Sequence, residues 1–143
     1  MTLIRENQRA QLAHDHVVEI LGDTQSELSA VAKKYRSVVM KLPALVQSAG
    51  VSTALNFVRA RAEKGQQKIL DHLAEQLNTA KIGKVRDVDT LLAHSRSADL
   101  STIQELTREV QRCLSWYKRM CQGLYPKESE GNDWNTHQDG GQS

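Results

Sequence analysis

The chain has 143 residues, enough for one domain with a modest core and too few for two domains of ordinary size. Gly and Pro account for only ten residues, so the composition favours long helices over short strands. The net charge is only +2, but residues 33–86 contain eleven Lys or Arg against three Asp or Glu. That asymmetry excludes an evenly charged surface and indicates a polyanionic partner.

The sequence lacks the patterns of membrane, secreted and disulfide-linked proteins. No apolar run approaches the roughly 20 residues that cross a bilayer. The N-terminal segment has charged and polar residues where a signal peptide has its apolar core. Cys113 and Cys121 lie eight residues apart in one predicted helix, too far to pair, and are expected to be reduced and partly buried. A soluble cytoplasmic protein with no membrane partner is expected.

Two amphipathic helices are predicted in the first third of the chain. Apolar residues at three- and four-residue steps predict a helix over 3–21. A second helix begins at Thr24 or Ser26, because either residue is a suitable N-cap, and ends at Gly50. Pro43 lies inside its apolar stripe and predicts a kink or a fresh helix start.

Two further helices are predicted in the middle of the chain. Ser52 is the expected N-cap of a third helix whose last turns reach Lys64, with Gly65 as punctuation. Leucine and isoleucine at helical spacing predict a fourth helix over 69–77. The polar segment 78–84 has no periodicity and is interpreted as a loop.

The last two helices are marked by their N-terminal residues. A fifth helix begins near Asp87, whose carboxylate fits an N-cap, and Ser101 with Gln104 has the form of a capping box that opens a sixth. The expected fold is all-α, a single compact bundle of about six helices within 1–125. Segment 126–143 has too few apolar residues to offset its ordering entropy and is expected to be a disordered tail.

A search for catalytic or metal-binding patterns finds none. The only neighbouring histidines, His14 and His16, are two residues apart and so fall on different helix faces. The five histidines are expected on the surface or at the core edge: His14, His16, His72, His94 and His137. No phosphate-binding loop, dinucleotide motif or nucleophile motif occurs. A protein without enzymatic activity, metal or cofactor is therefore expected.

The basic residues of the second helix form the main functional signal. At 100° per residue, they are predicted to point away from the apolar stripe. These residues are Lys33, Lys34, Arg36 and Lys41. An ordinary solvated face would mix signs of charge, whereas residues 33–62 contain no acid. Few aromatic residues are present, so we expect contact with a phosphate backbone without sequence readout.

Two blocks of sequence carry a family resemblance. The first contains KYR at 34–36, KLPALV at 41–46, AGV at 49–51 and TALNFVRAR at 53–61. The second contains LTRE at 106–109 and LSWYKRM at 114–120. Together they resemble the small helical subunit of Cmr (type III-B) CRISPR RNA-silencing complexes, ribonucleoproteins of antiviral defence.

The resemblance implies a non-catalytic subunit that stacks head to tail with copies of itself in a minor filament. Its implied partners are guide and target RNA and the backbone and large subunits of the complex. A basic face would line the RNA channel. The RNA-binding candidates are Lys41, Arg59, Arg61 and Lys64, followed by Lys33, Lys34, Arg36 and Lys68.

Two other classes of protein stay open. A helix-turn-helix DNA-binding protein would use the glycine turn at 49–51, and its only polar base-reading candidates are Thr53 and Asn56. A protein-only adaptor would set the basic face against an acidic partner.

Overall fold

The computed structural model describes residues 2–21, 30–61 and 63–124. Within them it contains six helices and no strand. The helices are α1 (Thr2–Leu21), α2 (Ala30–Ala49), α3 (Val51–Arg61), α4 (Lys64–Ala80), α5 (Val88–Ser97) and α6 (Leu100–Leu124). The prediction of an all-α bundle of about six helices is confirmed. The predicted caps Thr24 and Ser26 and the predicted tail 126–143 lie outside the described residues.

The break between α2 and α3 is a single glycine. Gly50 has φ +94, a conformation that side chains with a Cβ rarely adopt, and it separates the two helices directly. Pro43 lies inside α2, which continues through it to Ala49. The predicted end of α2 at Gly50 is confirmed, and the fresh start at Pro43 does not occur.

The fourth helix is longer than its apolar pattern predicted, beginning at Lys64 and ending at Ala80. Gly65 is therefore a helical residue and not punctuation. A Cβ on Gly65 would collide with the Val31 carbonyl oxygen and lie 2.7 Å from Lys34 Cβ. The first turn of α4 thus packs against the backbone of α2, a contact that periodicity alone does not reveal.

The N-caps of α5 and α6 are both aspartates. Asp87 accepts a 2.9 Å hydrogen bond from the Thr90 backbone N–H, and Thr90 Oγ1 accepts one from the Asp87 N–H. The hydrogen bonds that the Asp87 carboxylate accepts from the Thr90 backbone N–H and hydroxyl lower the pKa of Asp87. The capping box predicted at Ser101 is wrong, since Asp99 Oδ1 accepts the 2.9 Å bond from the Thr102 N–H. The reason is that an aspartate two residues earlier supplies a stronger acceptor.

The core lies where α1 packs on α6 and where α2 packs on both α4 and α6. Its largest fully buried side chains include Tyr35, Leu42, Leu55, Leu70, Leu73, Leu106, Leu114 and Tyr117. Burying each leucine contributes about 1.5–3 kcal/mol before entropy costs. Cys113 and Cys121 are not joined by a disulfide, as predicted, and both are fully buried, more than the partial burial predicted. Burial raises the pKa of the Cys113 thiol. None of the helices in the described ranges combines the length and apolarity needed to cross a membrane.

Candidate nucleic-acid interface

The predicted RNA-binding residues differ in exposure. Those with exposed side chains are Lys33, Lys34, Lys41, Arg59 and Lys68. Arg36 is only 3% exposed, so the prediction that it points away from the core is wrong. It lies four residues after Ala32 and three before Val39, both fully buried, and therefore shares their helix face. The side chains of Arg61 and Lys64 lie outside the described part of the structure, and their role stays a prediction.

Two of the exposed lysines line one groove between α2, α3 and α4, of about 250 Å³, which we call the α2 groove. Its lining residues are Lys34, Ser37, Val38, Lys41, Leu42, Leu45, Phe57, Val58 and Gln66. Lys34 and Lys41 lie seven residues apart on the same helix face, about 10 Å along its axis. Lys34 Nζ forms a 2.9 Å ion pair with Glu63, and about half of each side chain is exposed. The buried lining residues are Leu42, Val58 and Gln66, so the groove has a mainly apolar floor with one buried amide and a positively charged rim.

Arg59 lies in a separate depression that is lined by acidic residues. Its guanidinium lies 3.2 Å from Asp89, and the depression around it is also lined by Asp71 and Asp87. Three carboxylates around one cation offset its attraction for phosphate. The structure therefore does not bring Arg59 together with Lys34 and Lys41, and the predicted basic surface is divided.

The exposed lysines that form no ion pair with a described residue are the most available charges. Within the described ranges, Lys33, Lys41 and Lys68 form no ion pair. Lys81, Lys84 and Arg86 are also exposed, in the turn between α4 and α5. They belong to the basic segment that the charge count detected, although sequence reasoning did not select them as contacts.

The buried histidines form a polar stack inside the bundle. The rings of His16 and His72 are parallel with centroids 3.9 Å apart. His16 Nδ1 shares a 2.7 Å hydrogen bond with the Tyr117 hydroxyl, and His72 Nδ1 shares one of 2.8 Å with the Tyr35 hydroxyl. Burial, the neighbouring His16 and then Lys68 lower the pKa of His72 to about 3.

The prediction that these two histidines lie at the surface or core edge is wrong, because each is only 5% exposed. The spacing of the apolar residues could have predicted the burial of both histidines. His16 falls between Ala13 and Val17, and His72 lies three residues after Ile69, so each occupies the buried face of its helix. Hydrogen-bonded partners on neighbouring helices make that burial tolerable.

A buried ion pair joins the two terminal helices. The Arg9 guanidinium donates to both Glu109 oxygens at 2.7 and 2.8 Å, and Arg5 adds a 2.8 Å bond from the exposed side. Burial alone would raise the pKa of Glu109, but the hydrogen bond and charge of Arg9 outweigh it and the pKa is lowered. Sequence reasoning missed this pair, since residues 100 positions apart share no local pattern.

These polar groups are arranged for packing more than for chemistry. The Cys113 Sγ lies 3.6 Å from Glu109 inside the core, where its raised pKa keeps the thiol protonated. Among the residues that the structure describes, no three His, Cys, Asp or Glu side chains are grouped so as to hold a metal ion. The exposed cations remain the groups best placed to meet a ligand.

One of the two base-reading candidates of the helix-turn-helix alternative already forms hydrogen bonds within the chain. Asn56 Nδ2 donates to the Ser52 carbonyl at 2.8 Å, and its Oδ1 accepts from Arg96 at 3.3 Å. Thr53 is the other candidate and is exposed. An amide engaged at both ends is poorly placed to read a base edge, which weakens this alternative.

Comparisons with known proteins cover nearly the whole described chain. The family model described as CRISPR-associated protein (Cas_Cmr5) matches residues 5–124. The Cmr subunit Cmr5 of the CRISPR system of Thermus thermophilus is 37% identical over 116 residues, 80% of this chain and 90% of that protein. The crystal structure of a CRISPR-associated Cmr5 family protein from the same organism has a TM-score of 0.72 at 33% identity, covering 85% of this chain and 97% of the other. The resemblance seen in the two sequence blocks is confirmed.

Proposed function

The chain belongs to the Cas_Cmr5 family of CRISPR-associated proteins, and we propose that it is a non-catalytic subunit of a cytoplasmic Cmr (type III-B) effector complex. In that complex it contacts guide and target RNA through the exposed lysines of α2 and α4. The RNA contacts are made to the phosphate backbone, so they serve any guide sequence. Family membership supports the assignment to the complex, and the exposed lysines support the RNA contact.

The observation that carries the RNA proposal is the pair Lys34 and Lys41 on the rim of the α2 groove. They are exposed on one face of one helix, and the seven-residue step between them places both charges along a single line. Lys33 and Lys68, which form no ion pair with a described residue, add positive charge on α2 and α4. A strand of phosphates matches such a row better than a single small anion does.

Arg36 is left out of this surface, and Arg59 has a reduced part in it. The first is buried, and a phosphate cannot reach its guanidinium without opening the core. The second is paired with Asp89, and Asp71 and Asp87 line the same depression, whereas Lys34 has one carboxylate partner, Glu63, among the described residues. The proposed RNA contacts are therefore Lys33, Lys34, Lys41 and Lys68, with Arg61 and Lys64 as further candidates.

A structural role agrees with how the polar interior is used. The buried ion pair and the histidine stack tie α1, α2, α4 and α6 to one another, which favours a rigid building block. We propose that cleavage chemistry belongs to other subunits and that this chain stacks head to tail with copies of itself. Such heterologous contacts leave an isolated molecule with unpaired ends. Sedimentation of the purified chain should show monomers or weak association, and a tight closed dimer would contradict the stacking.

Purification of the tagged chain from its native host tests the proposed function. We expect Cmr subunits and guide RNA to co-purify, with the RNA lost at high salt before the protein partners. Recovery with DNA alone would favour the helix-turn-helix alternative. Recovery with Cmr subunits while cross-linking finds no RNA contact to this chain would favour the protein-only adaptor.

A further inference from the structure

We propose that the α2 groove takes one unpaired nucleobase of the bound RNA, stacked on Phe57, while Lys34 and Lys41 contact the neighbouring phosphates. The inference rests on the proposed function, because it needs RNA along this face. It goes further by assigning a base-binding site to a protein whose charge pattern predicted backbone contact alone. Such a site recognises a single-stranded or displaced nucleotide, since a paired base cannot enter.

Phe57 is the first reason for this inference. Its side chain is 51% exposed on α3, more than any other aromatic side chain among the described residues. It lines the groove together with buried Val58 of the same helix and the two lysines of α2. Every base has a π-face that stacks on an aromatic ring, and this stacking tolerates any sequence. An exposed phenylalanine beside two lysines therefore suits a nucleotide.

The size of the groove limits the occupant. Its volume of about 250 Å³ is below the roughly 300–1,000 Å³ of pockets that hold drug-sized ligands. One ring system with its sugar edge fits such a space, whereas the apolar face of a partner helix needs a longer groove. The volume therefore favours a single base over a protein segment.

Gln66 is a second, independent reason. The residue is only 6% exposed and lines the groove, and its Oε1 has no hydrogen-bond partner within the described ranges. Because that oxygen is itself buried, a base edge reaches it only when the amide turns toward the groove. A buried acceptor without a donor costs free energy, which a ligand N–H can recover. Glutamine amides pair with base edges that carry both a donor and an acceptor. The floor thus has an unused polar group of the kind that bases meet.

The charge at the rim favours a nucleic acid over a peptide. Among the described residues that line the groove, Lys34 and Lys41 carry charge and none is an acid. Glu63 lies just outside and pairs with Lys34 at 2.9 Å. A phosphate that binds Lys34 must displace this carboxylate. Glu63 is therefore a competitor whose removal should strengthen RNA binding.

The first test measures the affinity of the purified full chain for a short unstructured RNA strand and for the same strand paired with its complement. Phe57→Ala should lower affinity for the single strand about tenfold, the effect of losing one base stack, and leave the duplex affinity unchanged. Phe57→Trp should keep the single-strand affinity. Glu63→Gln should raise affinity for both RNAs.

Leu100→Ala is the matched control, because Leu100 is 72% exposed on α6, outside the groove. It removes exposed apolar surface without touching the proposed site and should leave both affinities unchanged. Circular dichroism of each variant checks that the helices are intact. Gln66→Leu is a second variant, which removes the unpartnered oxygen. It should lower the affinity for the single strand by less than Phe57→Ala does.

The outcomes separate the inference from the proposed function. If Lys41→Ala weakens RNA binding but Phe57→Ala does not, the base site is wrong and the backbone contact stands. If the wild-type chain and the assembled complex both lack RNA contact, both proposals fail. In the assembled complex, 4-thiouridine photo-cross-links should reach the Phe57 peptide. Cross-links from that peptide to another protein subunit instead would assign the groove to a protein partner and overturn the base site.

Discussion

The polar interior and the α2 groove use the same residue types in opposite ways. In the interior, Arg9 is 4% exposed, donates two hydrogen bonds to Glu109 and forms a 3.3 Å ion pair with Glu6. On the groove rim, Lys41 is exposed and forms no ion pair with any residue the structure describes. Both are cations on amphipathic helices, and the sequence pattern alone does not separate them.

What distinguishes the two regions is the presence of a partner within the chain. A buried cation that is ion-paired within the chain contributes to the fold and is not available to bind a ligand. A cation that is exposed and unpaired adds little stability and remains free to meet a phosphate. Substitutions in the interior should therefore change stability, and substitutions on the rim should change binding.

The largest effect is expected from breaking the interior ion pair. Glu109→Gln keeps the shape of the side chain but leaves buried Arg9 with the partly exposed Glu6, at 3.3 Å, as its remaining carboxylate. The free energy of unfolding should therefore fall by about 3 kcal/mol, the lower end of the range for breaking a buried ion pair. Urea denaturation measures it. Glu105→Gln is the control, an exposed acid one turn earlier on α6. Equal stability of the two variants would mean that the ion pair does not stabilise the fold.

The histidine stack should make stability depend on pH. The folded-state pKa of His72 is about 3, below its ordinary value of about 6.5, so the unfolded chain binds more protons in between. The free energy of unfolding should therefore decrease as pH falls from about 6 to about 5, by about 1 kcal/mol per pH unit from this residue.

His72→Gln can still accept the Tyr35 hydrogen bond but no longer titrates, and it should flatten that pH dependence. Denaturation curves at several pH values measure the slope. The control is His14→Gln, which changes an exposed histidine on α1. An unchanged slope in the His72 variant would assign the pH dependence to other groups.

A smaller effect is expected on the rim, in binding and not in stability. Lys41→Ala should weaken RNA binding roughly two- to fivefold, as for one exposed charge contact. The slope of log affinity against log salt should become shallower by about 0.7, the value for one phosphate on a single strand. The loss should be alike for all RNA sequences, and a base-specific loss would contradict a backbone contact.

The smallest effect is expected from Arg59→Ala, which serves as the paired counterpart of Lys41→Ala. Asp89 already neutralises this guanidinium at 3.2 Å, so its loss should leave the salt slope close to that of the wild type. The same salt titration measures it. A loss as large as that of Lys41→Ala would show that pairing within the chain does not decide which cations meet RNA.

Local signals predicted the helices well and the tertiary contacts poorly. The apolar stripes, Gly50 and Asp87 are local signals, so all six helices and several of their limits followed from them. Two limits were wrong: α3 ends at Arg61 and does not reach Lys64, and residues 78–80 of the predicted loop belong to α4. The start of α4 was missed because its first turn is held by Gly65 packing on the backbone of α2. The period of apolar residues does not contain that contact.

The exposure of the candidate RNA-binding residues was predicted in part, for the same reason. The charge count located the basic segment, and exposure of Lys33, Lys34 and Lys41 followed from helix geometry. The burial of Arg36 was missed because its charge was given more weight than its place on the face of Ala32. The pairing of Arg59 with Asp89 joins α3 to α5 and becomes visible only in three dimensions.

The most direct test of the central claim is the structure of the assembled complex with guide and target RNA bound. The account predicts that Lys41 Nζ lies within ion-pair distance of an RNA phosphate and that the strand follows the α2 groove. A complex in which Lys41 meets protein carboxylates, with the RNA passing along the α1 and α6 side, would contradict it.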